Sequence, residues 1–293
     1  GYDNISYDYS VSAWRNSVEE KGGADDYDLL VGGSHYISGY DSTNNKYHTR
    51  SFRMQESYAK GFASAAYYNG ADGLYLFNTY RPQDTGYTSV TPEGISVQHG
   101  GSWEKLLIKY KSMVPEISET GLRSYVFTDE QAKKYDMELP HSIFAGDSAT
   151  FSVNTANKPE AGYYTVLVGI DSNDGYLYNN LDVNVNGVTA EQIRDVPTDP
   201  AFVFSESGEA YTPGHISQVA PRVMQYSVPL SAVRDGVNDI EIINNGDGTQ
   251  SIMWLQVNTD STPGAEPEQA VYQLAEDTVL TVKRDETHKF PVL

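Results

Sequence analysis

Residues 54–81 read Met54-Gln-Glu-Ser-Tyr-Ala-Lys-Gly-Phe-Ala-Ser-Ala-Ala-Tyr-Tyr-Asn-Gly-Ala-Asp-Gly-Leu-Tyr-Leu-Phe-Asn-Thr-Tyr-Arg81, and they restrict the fold more than any other part of the chain. Met54, Tyr58, Phe62, Ala65 and Ala66 recur at helical spacing, so the first half predicts an amphipathic helix. Gly61 and the alanines let that helix approach a sheet closely. Asn69-Gly70 is a helix stop. Leu74-Tyr-Leu-Phe77 is an unbroken apolar run, the pattern of a parallel strand covered on both faces. Polar residues follow at once, and in α/β proteins ligands collect at the carboxyl ends of such strands.

The flanking sequence continues this alternation. Val11, Trp14 and Val18 fall on one helix face, ended by Gly22-Gly23. Leu29-Leu-Val-Gly-Gly33 predicts a short buried strand, and the polar stretch 38–49 predicts a loop. Ser102, with Glu104 in the first turn, predicts the start of a helix through Leu106, Leu107, Tyr110 and Met113, which Pro115 closes. A third strand is expected near residues 4–9. Strands alternating with helices imply parallel pairing through right-handed crossovers. Two or three parallel strands leave edges and apolar faces uncovered. The region therefore reads as the last part of a larger (β/α) barrel, to be completed by a missing N-terminal segment, another chain or a swapped partner. The opening Gly1-Tyr2, with neither methionine nor signal-peptide pattern, fits a processed or trimmed N-terminus.

Beyond Leu122 the periodicity changes. Phe151-Ser-Val, Tyr163-Tyr-Thr-Val-Leu-Val-Gly-Ile, Leu181-Asp-Val-Asn-Val-Asn, Met224-Gln-Tyr-Ser-Val, Val237-Asn-Asp-Ile-Glu-Ile-Ile and Ile252-Met-Trp-Leu-Gln-Val read as strands. Turn signals separate them at Asn173-Asp-Gly, Asn186-Gly, Asp235-Gly and Asn245-Gly-Asp-Gly248. Short strands with Gly-rich turns predict an antiparallel sandwich of jelly-roll type. Thr262-Pro-Gly-Ala-Glu-Pro-Glu is a linker, and Val279-Leu-Thr-Val is expected to add a strand or pack back. The expected fold class is thus α/β plus all-β. Residues 1–115 form the C-terminal portion of a TIM-like barrel, 116–262 the sandwich, and 263–293 a linker with a C-terminal strand packing on it.

Composition narrows the partners. The 293 residues carry 40 acidic and 20 basic side chains, a formal charge of −20. Such a surface disfavours nucleic acid and anionic membranes, which need basic contacts. No run of about 18 apolar residues is present to span a bilayer. With no cysteine, disulfides, thiolate zinc sites and cysteine nucleophiles are excluded. The histidines lack zinc spacing, Asp171-Ser-Asn-Asp-Gly175 lacks an EF-hand pattern, and no cofactor or metal is expected. The 23 tyrosines suit either stacking on sugar rings or filling sheet surfaces.

The run Gly70-Ala-Asp-Gly-Leu-Tyr-Leu-Phe-Asn78, after its Ala-rich helix, resembles a late strand in the (β/α)8 barrels of bacterial glycoside-hydrolase-like proteins. Leu139-Pro-His-Ser-Ile and Val228-Pro-Leu-Ser-Ala-Val-Arg-Asp-Gly-Val-Asn-Asp-Ile-Glu-Ile resemble the β-sandwich often appended to such barrels, and the latter is also similar to galactose-binding-like jelly rolls. The resemblance implies a carbohydrate partner and an extracellular or cell-surface setting. The strands that usually carry the acid and nucleophile are not recognisable here.

By the barrel rule the functional groups follow each strand. Candidate substrate-binding residues are His35 and Tyr36 after the first strand, and Asn78, Tyr80 and Arg81 after the second. Asn78 and Arg81 suit sugar hydroxyls or an acidic sugar, Tyr36 and Tyr80 suit ring stacking, and His35 suits acid, base or orienting duty. Each has an ordinary loop role as the alternative. Glycoside hydrolysis usually needs two carboxyl groups, about 5–5.5 Å apart for retention or about 6.5–9.5 Å apart for inversion. Glu56 at a helix start, Asp84 in a loop and Asp72 ahead of its strand do not form an evident pair, so the catalytic residues are unassigned. Two functions remain open: part of a carbohydrate-active hydrolase, or a non-catalytic glycan-binding or scaffold protein using platforms such as Trp254 or Tyr178.

Overall fold

The structure, a computed structural model, describes residues 11–22, 28–33, 36–39, 50–53, 56–76, 87–90, 96–99, 113–128, 139, 141–170, 180–196 and 222–267. It is sheet-rich and mostly antiparallel.

The N-terminal part has the expected α/β order. Helix α1 (Val11–Glu20) buries Val11 and ends at Gly22, whose positive φ of 72° suits a residue without Cβ. Strand β1 (Leu30–Gly33) pairs in parallel with β4 (Gly73–Leu76), in the register Val31 to Leu74 and Gly33 to Leu76. Between them in sequence run the antiparallel partners β2 (Tyr36–Gly39) and β3 (Arg50–Arg53), then helix α2 (Glu56–Tyr68). Helix α2 stops where Asn69-Gly70 predicts. The Gly70 amide donates to the Tyr67 carbonyl and the Ala71 amide to that of Ala66, with Gly70 at φ 95°. This pair of bonds satisfies the carbonyls that a helix end leaves open.

A carboxylate fixes the start of the parallel pair. Asp72 Oδ2 accepts from the Leu29 amide at 2.6 Å, and the Asp72 amide donates to the Leu29 carbonyl at 2.9 Å. Arg15 reaches over from α1, pairing with the same carboxylate and donating from Nε to the Gly70 carbonyl at 2.8 Å. The Leu29 amide, and then the Arg15 bond, hold the Asp72 carboxyl below its ordinary range.

Helix α2 is the hinge of the packing. Tyr58, Ala59, Phe62, Ala63, Ala65 and Ala66 are buried on it. Val31 joins it in the core, with Leu29 and Leu74 packed alongside. The helix also meets β7 (Leu122–Thr128), and there the two backbones nearly touch. A Cβ on Gly61 would lie 2.1 Å from the Ser124 carbonyl oxygen. At the helix end, Asn154 donates to the Asn69 side chain at 3.1 Å, and Tyr68 packs over Gly236. One small-residue helix thus seats the parallel pair on the all-β part.

That part is two antiparallel sheets. The larger runs β13 (Glu191–Val196), β14 (Arg222–Val228), β10 (Tyr163–Ile170), β16 (Gln250–Asp260) and β7, with β8 (His141–Ile143) also on β16. The smaller runs β12 (Val188–Thr189), β11 (Leu181–Val185), β15 (Val237–Asn244) and β9 (Ser148–Asn154). The sheets face each other in a sandwich-like arrangement. The Tyr226 hydroxyl of β14 donates to the Leu181 carbonyl of β11 at 2.8 Å, and Asn244 Nδ2 of β15 donates to the Ile143 carbonyl of β8 at 2.9 Å. The smaller sheet alternates buried and open positions, so one of its faces meets the core. Central strands β10 and β16 are buried on both faces.

Polar side chains pin the connections. Buried Asn238 accepts from the Arg234 amide and donates towards the Arg234 carbonyl and the Thr155 hydroxyl, while Asn186 donates to its side-chain oxygen at 2.8 Å. The Val228-to-Ile242 run quoted above is therefore structural: it closes β14 to β15 through a 3-10 turn at Leu230–Ala232. Asn186 and Gly187, at φ 52° and 81°, make the tight turn their sequence predicts.

Several expectations change. Trp14 faces out rather than joining the α1 core face. The stretch expected as loop from residue 38 begins inside β2. Pro115 opens a short helix, α3 (Pro115–Ser118), because its fixed φ and missing N–H suit a first helical position. Strands β7, β8, β12 and β13, and the antiparallel pair β5 (Tyr87–Val90) and β6 (Ser96–His99), carried no clear period in the sequence. A TIM barrel is not shown; one parallel pair is present among the described residues. The strand expected at 4–9, the helix from Ser102 and the strand at Val279 lie outside the described residues.

Two outcomes follow from this packing. Gly61→Ala overpacks the α2–β7 contact and costs about 1–3 kcal/mol, lowering Tm by several degrees in a thermal melt, whereas Gly248→Ala, with open space around it, leaves Tm unchanged. Asp72→Asn weakens the β1–β4 junction by at most about 1 kcal/mol at neutral pH, because Asp72 is partly exposed. Its folded pKa lies below 3.8, so the wild-type advantage is present above that value and disappears as pH falls through the folded pKa. Urea titrations of both proteins at several pH values measure the difference.

Candidate functional site

The parallel register sets strand ends β1 and β4 side by side, Gly33 against Leu76. Whatever follows either strand therefore starts from one edge. Alternation divides the pair into two faces. Val31 and Leu74 pack towards the core on α2. Leu30 and Tyr75 lie on the other face and are 61% and 55% exposed. Among the described residues α2 backs one face of the pair, and the other, with Leu30 and Tyr75, is exposed.

The open face has a definite shape. Gly32 pairs with Tyr75 and Gly73 with Leu30, so each large side chain sits beside a bare backbone. Leu30 leans over Gly73, its Cδ2 occupying space that a Cβ would need. The Tyr75 ring has Gly32 as its cross-strand neighbour, with no side chain to cover it. An exposed aromatic face beside backbone, one residue ahead of a strand's carboxyl end, can stack on a flat apolar surface such as one side of a pyranose ring. In the sequence Tyr75 reads as one apolar residue of an unbroken run. The available signal was the alternation of Leu74, Tyr75 and Leu76 against two glycines on β1.

Of the residues proposed from sequence, Tyr36 is the first residue of β2. His35, Asn78, Tyr80 and Arg81 lie outside the described residues, as does Asp84. Glu56 is the first residue of α2. Asp72 lies at the amino end of β4, opposite the strand exits, and its hydrogen bonds make it structural. Trp254 is fully buried, its indole donating to Gln256 at 3.2 Å, so it offers no platform; Tyr178 lies outside the described residues. Tyr58, Tyr125, Tyr164 and Tyr226 fill the core.

The remaining described carboxylates near one another are on the outer face of the smaller sheet. Glu241 accepts from Ser148 at 3.0 Å and Asn184 at 2.9 Å, Asp239 from Ser152 at 2.6 Å, and Asp182 from Asn245 at 2.8 Å. These are cross-strand polar pairs that tie the sheet together. Tyr67, on α2, donates to the Met113 carbonyl at 2.9 Å, and burial, with Glu116 nearby, raises its phenol. Among the described residues no group of three or more His, Asp or Glu side chains is placed to hold a metal ion, and no helix is long and apolar enough to cross a membrane.

No protein-family model and no curated protein matches this sequence. Solved structures do show similarity. The structure of BuGH86wt in complex with neoagarooctaose matches 49% of this chain and 20% of its own, at 16% identity and a TM-score of 0.30. BpGH86A, a β-porphyranase of glycoside hydrolase family 86 from the human gut bacterium Bacteroides plebeius, matches 88% of this chain and 54% of its own, at 12% identity and a TM-score of 0.29. The chain thus spans between a fifth and about half the length of these glycoside hydrolases to which it is similar.

Proposed function

We propose that this chain is the C-terminal part of a carbohydrate-active glycoside hydrolase, acting on a polysaccharide or oligosaccharide outside the cell or at its surface. The observation that carries the reading is the parallel β1–β4 pair, backed by α2 and presenting an exposed Tyr75 beside two aligned strand ends. In this reading the pair belongs to a TIM-like barrel. Its open face looks inward, and the jelly-roll-like sandwich supports it from residue 116 onward. His35, Tyr36, Asn78, Tyr80 and Arg81 follow the two strand ends and supply hydrogen bonds and further stacking to the sugar, with Tyr75 as its floor. Further strands, and with them the acid and nucleophile, come from a segment or chain beyond these 293 residues. The alternative reading is a glycan-binding or scaffold protein, which uses the same floor without turnover.

The test is affinity and turnover on a panel of algal, plant and host polysaccharides and their oligosaccharides, neoagarooctaose among them. One class binds, and Tyr75→Ala weakens it about tenfold, the loss of one ring contact, with an unchanged melting curve because Tyr75 is exposed. Turnover by the natural assembly supports the hydrolase, and binding without turnover supports the alternative. Equal affinity in wild type and Tyr75→Ala removes β1–β4 as the site.

A further inference from the structure

A second constellation lies inside the sandwich and is independent of the glycan reading. Arg123 on β7 is 2% exposed. Its cross-strand partner on β16 is Thr259, whose own partner on β10 is Tyr164. Directly opposed residues point to the same face, so these three side chains form one row across three adjacent strands. The row belongs to the inner face: two positions along each strand, Tyr125, Val257 and Val166 continue it, and Tyr226 on that face reaches the opposite sheet. Thr259 and Tyr164 are fully buried, as is Thr155, which borders Tyr164 from the loop after β9.

The polar atoms of this row are under-used. Arg123 donates through Nη2 to the Asn157 carbonyl at 3.3 Å, while its Nε makes no hydrogen bond. Thr259 Oγ1 makes none either. Thr155 accepts from Asn238 Nδ2 at 3.1 Å, which leaves its proton for Tyr164 and the Tyr164 proton for something else. No ion pair of Arg123 with a carboxylate occurs among the described residues. A guanidinium has five donors and no acceptor, and a buried charge is costly unless it is paired. Water satisfies donors but does not neutralise the charge.

We infer that Arg123 Nε, Thr259 Oγ1 and the Tyr164 hydroxyl together hold a small inorganic anion of halide size within the end of the sandwich. All three groups can donate, the charge is of the right sign, and Arg123, Thr259 and Tyr164 are all shielded from bulk solvent. The anion links β7, β16 and β10 beneath the loop that carries Thr155, so it is a structural ligand of the fold.

Bromide is the probe. Thermal melts of the whole chain are run at fixed ionic strength while sodium gluconate is replaced by sodium bromide. Wild type gains roughly 5 °C in a saturating curve, and Arg123→Met and Thr259→Val lose the saturable gain. Anomalous diffraction from crystals of the unsubstituted protein grown in bromide serves even if Arg123→Met does not fold: it shows a peak within hydrogen-bond reach of Arg123 Nε. Equal melting temperatures in the two salts, or density there that is ordinary water or a carboxylate of the chain itself, overturns the inference.

Discussion

Everything on the α/β side depends on how near α2 comes to β7. The Ser124 carbonyl points at Gly61 with no room for a Cβ between them, and alanines 59, 63, 65 and 66 are buried elsewhere along the same helix. Interiors are packed at crystal density, so such a contact transmits position rather than absorbing it. A larger residue at 61 would push the helix off the sheet and carry Val31 and Leu74 with it. The glycine costs helix propensity, about 1 kcal/mol relative to alanine. The contact it allows offsets that cost by joining two architectures through one element.

The second constraint is electrostatic and local. Asp72 takes the Leu29 amide and the Arg15 guanidinium at once, which sets both the register of β1 against β4 and the position of α1. A carboxylate at the amino end of the strand pair is thereby used for building, and the opposite end is the one we propose for sugar binding. The sandwich uses neutral side chains for the same purpose: Asn238, Asn186 and Asn244 hold the loops in place without a buried charge. Among the described residues Arg123 is the exception, and the lack of an ion pair with any described carboxylate is what points to a bound anion.

The long elements were legible in the sequence because each has one strong period. The α2 stripe, the apolar β4 run, and the alternation in β11 and β15 all fall where the residues predict. β13 (Glu-Gln-Ile-Arg-Asp-Val) was not legible, because an edge strand with polar residues is stabilised by its partner β14 rather than by its own pattern. Pro115 misled because proline ends one helix and begins another with equal ease. At the site, Asp72 could be set aside as non-catalytic from its place before the strand. The alternation around Tyr75 against the glycines of β1 was the available signal, but its exposure was not legible, since that depends on what covers each face. Trp254 was ambiguous for the same reason until its burial resolved it.

Hydrogen–deuterium exchange with and without a bound oligosaccharide tests the central claim most directly, because it reads the location of the sugar on the whole chain without any substitution. Protection concentrated in peptides covering 29–36 and 73–81 is the predicted result, with the strands at 141–170 and 222–260 unchanged. Protection confined to the sandwich, with exchange at β1 and β4 unaltered, contradicts the account.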